Sequence, residues 1–202
     1  MIILPSTYFG NIEYFYLLFK AKEALIDIHE PYQKQTYRSR CEILTGNGKI
    51  TLSVPVVRPN GKDTAMNEVL VSYKEDWRKD HKKAIESAYR RTPYYEYYID
   101  AIHQILDEKP DRLIDLNNKI TTYLIDKLGL TVQINIADTP MDIAPNDPRI
   151  FLNPKKESTF QTHRYIQTFE ERFGFLENLS VLDLLFNEGP NSISILQESK
   201  HL

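Results

Sequence analysis

The sequence has little that suits a disulfide-stabilised, nucleic-acid-binding or membrane-spanning protein. Cys41 is the only cysteine, so no internal disulfide can form and no CxxC pair indicates zinc. The net charge of -3 provides no general basic surface for nucleic acid. Apolar runs such as residues 14–19 are too short to span a bilayer. Residues 1–4 reach Pro5 without the basic start of a signal peptide. We therefore expect a cytoplasmic protein, with no membrane span and no nucleic acid as partner.

The signature motifs of several common chemistries are also absent. The chain contains no GxxxxGK[ST], GxGxxG, HExxH or GxSxG pattern, which excludes the usual phosphate-loop, dinucleotide, zinc-protease and hydrolase signatures. Nothing rich in glycine occupies the turn between the first strand and the first helix. The sequence therefore predicts no cofactor and no metal ion, and no feature indicates an oligomeric state.

The length and composition are those of a globular domain. The chain has 202 residues, of which 42% are hydrophobic and 26% charged. This length suits one folded core, and this composition argues against disorder. We expect a single domain over residues 1–202.

The first part of the sequence predicts strands around one helix. Residues 1–4 and 24–29 are strand-like, and residues 12–22 have apolar side chains at helical spacing. Two further strands, residues 36–44 and 49–57, are joined through a turn signal, Gly46-Asn47-Gly48. We expect the N-terminal strands and this hairpin to form one mixed sheet.

From Glu75 onward the apolar period changes from two to 3.6 residues, which indicates helices. Pro93 and Asp111 are placed to start helices and Gly129 to end one. Residues 138–156 contain four prolines and are expected to lack regular structure. The fold class is therefore mixed α/β, with a helical C-terminal half packed on the sheet.

Three cations are the first candidate for a binding site. Lys34, Arg38 and Arg40 lie two or four residues apart on the predicted strand and would share one face. Arginine binds phosphate and carboxylate through two parallel hydrogen bonds, so a phosphate or a sugar carboxylate would suit this face. The alternative is a solvated face with Glu42 as a local partner.

A histidine on an apolar helix face is the second candidate. Trp77, His81, Ile85 and Tyr89 follow one another at helical spacing, with charged residues on the opposite face. An inward His81 near a cleft could act as a general base. A core histidine satisfied by a hydrogen bond would show the same pattern.

Clustered tyrosines and a later arginine complete the candidates. Tyr94 and Tyr98 share one helix face that could stack on a sugar ring, although packing of the helix explains the pattern equally well. Arg149 in the proline-rich segment could close over an anion or could be solvated.

Read together, these segments resemble the WbqC-like family, particularly its Bacteroidetes-type members. The matching stretches keep the family order along nearly the whole chain. They are Ser6-Thr7-Tyr8-Phe9, Ile12-Glu13-Tyr14-Phe15, Tyr32-Gln33-Lys34-Gln35-Thr36-Tyr37-Arg38-Ser39-Arg40-Cys41, Ser53-Val54-Pro55, Trp77 with His81, Ser87-Ala88-Tyr89, Pro93-Tyr94-Tyr95-Glu96-Tyr97-Tyr98, Asp147-Pro148-Arg149, Pro154-Lys155, Asn178-Leu179-Ser180-Val181-Leu182-Asp183-Leu184-Leu185-Phe186-Asn187 and Gly189-Pro190.

The resemblance implies a role in surface-polysaccharide (O-antigen-type) biosynthesis. It suggests a transferase that acts on an activated sugar or glycan precursor, with glycine or aminoacyl transfer as the reaction and a nucleotide-sugar as partner. The alternative is a non-catalytic ligand-binding or accessory protein of the same pathway. No catalytic residues come with the family, so His81 as base, and Lys34, Arg38, Arg40, Trp77, Tyr89, Tyr98 and Arg149 as substrate-binding residues, stay hypotheses.

Overall fold

Short strands alternate with helices along the chain, whose residues 1–202 are all described in a computed structural model. The strands are β1 (Ile2–Pro5), β2 (Glu23–Asp27), β3 (Arg40–Thr45), β4 (Gly48–Ser53), β5 (Val56–Val57), β6 (Leu70–Val71), β7 (Gln133–Ile136), β8 (Phe160–Gln161) and β9 (Lys200–His201). The helices are α1 (Ile12–Lys20), α2 (Trp77–Tyr89), α3 (Tyr95–Asp107), α4 (Leu113–Leu128), α5 (Pro148–Phe151), α6 (Glu170–Phe173), α7 (Val181–Glu188) and α8 (Ser192–Glu198). The mixed α/β class is confirmed.

A parallel three-stranded sheet is built on the predicted βαβ unit. Strands β1 and β2 pair in parallel across α1, and β7 pairs with the other edge of β2. The central strand is the most enclosed, because its Ala24 and Ile26 face the core. Asp27 is the last residue of this strand and is buried, so a carboxyl group lies at the carboxyl end of the sheet.

The hairpin forms a separate two-stranded sheet and does not join the N-terminal strands. Its turn is Gly46-Asn47, since Thr45 pairs with Gly48. Residues 36–39, predicted as strand, form turns, and β3 begins only at Arg40. The reason is that Arg38 is buried among polar partners, and a buried charge must be paired even at the cost of local β-structure.

The predicted helices are present with shifted starts. Helix α3 begins at Tyr95, after a turn that contains Pro93, and α4 ends at Gly129, which has φ of 68°. Left-handed glycine is a common helix terminator. Ser180 caps α7 by accepting a hydrogen bond from the Leu182 N–H.

One apolar cluster of 41 buried residues extends from Leu4 to Leu196, so both halves of the chain contribute to a continuous core. Helix α2 faces it with Trp77, His81 and Ile85. None of the helices is long and apolar enough to cross a bilayer.

Candidate functional site

A cationic pocket, here called the hairpin pocket, lies at the base of the β3–β4 hairpin. Lys34, Arg40 and Arg58 contribute three positive charges, and no carboxylate lines the pocket. None of the three cations takes part in an ion pair. Its volume is about 410 Å³, and its full lining is Tyr32, Lys34, Gln35, Ser39, Arg40, Ser53, Val54, Pro55, Val56 and Arg58.

The hairpin register directs two of these side chains to the same side. Arg40 lies opposite Ser53, and the neighbouring Val54 N–H donates to the Ser39 carbonyl over 2.8 Å. Because hydrogen-bonded and non-bonded pairs alternate in an antiparallel ladder, Arg40 and Ser53 form a non-bonded pair, whose side chains approach most closely. Arg40 and Ser53 therefore project from the same face of the hairpin, and both line the pocket.

The loop before β3 supplies the opposite wall. The Tyr32 hydroxyl is 2.6 Å from the Ser39 hydroxyl, and the Tyr32 N–H donates to the Thr64 carbonyl. Gln35 adopts a left-handed conformation with φ of 60°, which costs a non-glycine residue about 1 kcal/mol or more. A strained residue at the pocket rim is common where geometry serves binding.

Arg38 does not line the hairpin pocket. Its side chain is 1% exposed, and its Nε donates to Glu30 Oε1 over 2.8 Å. Burial raises the pKa of the Glu30 carboxyl, whereas hydrogen bonding and charge from Arg38 oppose the rise. The backbone of Arg38 is held as well, because Asn117 Nδ2 donates to its carbonyl over 2.9 Å. Arg38 therefore fixes the segment that joins Lys34 to Arg40, the first residue of β3.

Arg149 continues the same buried network. Its Nε donates to Asp147 Oδ1 over 2.9 Å, its guanidinium also pairs with Asp27 at the end of β2, and it donates to the carbonyl of Met141. Burial alone would raise the pKa of Asp147, but hydrogen bonds from Arg149 outweigh it and lower that pKa. Arg149 thus ties the proline-rich segment to the parallel sheet, and it is neither solvated nor part of the hairpin pocket.

His81 lies behind the pocket wall. The Tyr8 hydroxyl is 2.8 Å from His81 Nδ1, and the Ser53 backbone is near enough to the ring to influence its pKa. Burial lowers the pKa of His81 to about 4, against smaller opposing effects of the Ser53 backbone and Asp80. The ring is therefore neutral at pH 7. Ser53 lies opposite Arg40 in the hairpin, and its backbone influences the pKa of His81, so His81 lies on the same part of β4 as the pocket.

The remaining candidates lie away from the hairpin pocket. Trp77 is buried and its Nε1 donates to the Ser72 carbonyl over 3.1 Å. The Tyr89 ring packs on Phe186 with ring centres 5.0 Å apart. Tyr98 is mostly buried on α3. None of these three side chains lines the pocket.

Sequence reasoning missed Arg58, Tyr32 and Ser53 as members of this site. Arg58 follows β5, and its approach to Arg40 depends on how the chain returns after the hairpin. The one feature of the sequence that could have indicated Arg58 is that it carries a positive charge directly after a strand. No group of three or more His, Cys, Asp or Glu side chains is placed to hold a metal ion.

Comparisons with known proteins identify a family that matches most of the chain. A family model described as "WbqC-like protein family" matches residues 6–152, which include the whole hairpin pocket. The chain is also similar to "Uncharacterized protein Rv1507c" of Mycobacterium tuberculosis (strain ATCC 25618 / H37Rv), with 24% identity over 223 aligned positions, covering 96% of each chain. No solved structure matches the chain.

Proposed function

Since this chain belongs to the WbqC-like protein family, we propose that it binds an activated, phosphate-bearing sugar or glycan precursor of surface-polysaccharide biosynthesis in the hairpin pocket. The observation that carries the proposal is the set of three cations, Lys34, Arg40 and Arg58, in a pocket without a carboxylate. A nucleotide-sugar is the ligand class that we expect.

The chemistry of the pocket fits both parts of such a ligand. Unpaired guanidinium groups bind phosphate oxygens through charge-assisted hydrogen bonds, which are about twice as strong as neutral ones. The hydroxyls of Tyr32, Ser39 and Ser53 provide donors and acceptors for sugar hydroxyls. A volume of about 410 Å³ lies within the usual range of small-molecule sites, roughly 300–1,000 Å³.

Calorimetric titration with UDP-glucose, UDP and glucose tests this proposal. We expect UDP-glucose and UDP to bind and glucose alone to bind much more weakly, because the phosphates supply the charge. Raising the salt from low to physiological concentration should weaken binding, since exposed charges are screened over about 8 Å at 0.15 M. Equal binding of glucose and UDP-glucose, or no binding of either nucleotide, would refute it.

A second candidate is transfer of a glycyl or other aminoacyl group to the bound sugar. It is favoured by His81, a neutral histidine whose pKa is influenced by the backbone of a pocket residue, Ser53. Attack by a sugar amine or hydroxyl on an activated carbonyl needs a base, and a positioned base typically contributes ~10²–10⁴-fold. The hydrogen bond with Tyr8 would have to open for Nδ1 to accept that proton. Because this nitrogen is occupied in the structure, ligand binding is the function proposed first and transfer the second candidate.

His81→Gln separates the two roles. Mass spectrometry would follow transfer from a glycyl thioester to an amino-sugar nucleotide, while calorimetry follows UDP-glucose binding. A catalytic His81 predicts loss of transfer by at least about 10²-fold with binding and folding retained. A packing role predicts a lower unfolding midpoint, because buried partners are left unpaired, and, in whatever fraction stays folded, a transfer rate equal to that of the unmodified protein.

A further inference from the structure

A second cavity, here called the turn cleft, lies at the tip of the hairpin. Gly46 and Asn47 of the turn form one side, and the C-terminal half of α2 forms the other. Its volume is about 680 Å³, larger than that of the hairpin pocket, and no residue lines both. The turn cleft is therefore a separate feature, and binding there would be independent of the proposed function of the hairpin pocket.

The positive charges on the two faces of α2 differ in whether they form ion pairs. On the face towards α3, Lys82 and Arg78 are paired with Asp107, over 2.6 and 3.6 Å. On the face towards the turn cleft, Lys83, Arg90 and Arg91 are in no ion pair. Glu86 is the only carboxylate among the lining residues. The cleft thus keeps an excess of positive charge in a protein whose net charge is -3.

The helix dipole accounts for only part of this pattern. Cations near the carboxyl end of a helix are stabilised by its dipole within the last turn, which applies to Arg90 and Arg91. Lys83 lies in the middle of α2 and gains nothing from it. The dipole also does not explain why an apolar floor lies beneath the charges.

That floor is formed by aliphatic and aromatic side chains. Ile50, Ala84, Ala88 and Phe169 are the hydrophobic members of the lining. The turn above them is fixed, because Arg172 donates to the Gly46 carbonyl. Apolar atoms flanked by unpaired cations suit a ligand that carries an anionic group next to an apolar one.

We propose that the turn cleft binds a ligand in which a phosphate or carboxylate is joined to an apolar or aromatic group. The anion contacts Lys83, Arg90 and Arg91, and the apolar group covers Phe169 and Ile50. Nucleotides and single-chain lipid phosphates share this chemistry.

NMR titration of the labelled protein with UDP, octyl phosphate and inorganic phosphate tests the inference. We expect saturable shifts of the backbone amides of Gly46, Asn47 and Phe169 with UDP or octyl phosphate, and much weaker binding of inorganic phosphate. UDP identifies a nucleotide as the source and octyl phosphate a lipid. If UDP shifts only the amides of Ser39 and Ser53, it binds the hairpin pocket alone. The proposal is wrong if, in addition, octyl phosphate causes no shifts in the turn cleft.

Matched lysines on α2 provide the control. Lys83→Gln should weaken cleft binding about tenfold, the usual effect of losing one charge-assisted hydrogen bond. Lys79→Gln removes the same charge from an exposed residue of the same helix outside the cleft, and should change the affinity less than twofold. Equal losses in both variants would show non-specific attraction and overturn the proposal. So would equal affinity for inorganic phosphate and octyl phosphate, which removes the role of the floor.

Discussion

Replacing Arg38 by Met asks whether this arginine holds the fold or a ligand. Met keeps much of the side-chain volume and removes the charge. In the structure the guanidinium of Arg38 is enclosed with the Glu30 carboxylate and also donates to the Arg149 carbonyl over 3.3 Å. Without Arg38, Glu30 is left as a buried carboxylate that has lost its cation.

The expected loss of stability follows from that unpaired carboxylate. Removing one partner of a buried ion pair typically costs about 3–5 kcal/mol, a large share of a total stability of about 5–15 kcal/mol. For a chain of this size 1 kcal/mol corresponds to about 2–4 °C in Tm, so we expect Tm to fall by roughly 6–20 °C. Arg40→Met, two positions away on the half-exposed pocket wall, should change stability by less than about 0.5 kcal/mol.

The loss should also depend on pH and on Glu30. Burial already raises the pKa of Glu30, and Arg38 opposes that rise, so the pKa rises further in Arg38→Met. A raised carboxyl pKa means that the folded state binds the proton more tightly than the unfolded chain, and stability falls as pH increases through it. The variant should therefore lose least at acidic pH, and Glu30→Met added to Arg38→Met should restore part of the loss.

Urea unfolding followed by fluorescence measures these changes directly. Trp77 is the only tryptophan and is 5% exposed, so its emission reports loss of the core. Equal stability of Arg38→Met and Arg40→Met, or a double variant no more stable than Arg38→Met at pH 7, would refute the assignment of Arg38 to the fold.

Two other substitutions give sharp expectations. Burial raises the pKa of the Asp183 carboxyl to about 6, so the stability that this group contributes is greatest below about pH 4 and is lost as the pH rises to about 6. Asp183→Asn should remove this pH dependence of the free energy of unfolding, which is worth ~3 kcal/mol. A profile of urea midpoints between pH 4 and 7 that is the same in the variant would contradict this. Gly189 has φ of 52° and an added Cβ would overlap the Tyr94 ring, so Gly189→Ala should lower stability by ~1–3 kcal/mol or more. Gly61→Ala, with φ of 59° and open space around it, should cost less, and equal losses in thermal unfolding would show that the overlap is relieved.

Local patterns were sufficient to predict most helices and the first supersecondary unit. The apolar spacing in α1, α2 and α4 is set by one face that packs on the core, so periodicity alone locates these helices. The hairpin turn is predicted by a different signal, because the residue types of Gly46-Asn47-Gly48 favour a tight turn. Starts were less accurate, as at α3, because the residues around Pro93 satisfy their hydrogen bonds in a turn before the helix begins.

The site could be predicted only in part, because it depends on contacts between distant residues. Period-two counting assigned Arg38 to the same face as Lys34 and Arg40, but pairing of Arg38 with Glu30 replaces the strand by turns. The sequence allows Arg149 either to close over an anion or to be solvated, whereas its partners in the structure are Asp27 and Asp147. Neither partner can be identified from spacing, since each is fixed by the way in which segments far apart in sequence fold together.

The central claim, that the unpaired cations of the hairpin pocket bind the phosphate of an activated sugar, is tested most directly by one pair of titrations. UDP-glucose would be titrated into Arg40→Ala and into Arg112→Ala, a matched loss of one exposed charge on a residue paired with Asp115 away from the pocket. Loss of a charge-assisted hydrogen bond predicts about 10- to 100-fold weaker binding to Arg40→Ala, and a change of less than twofold for Arg112→Ala. Equal affinities of the two variants would contradict the claim.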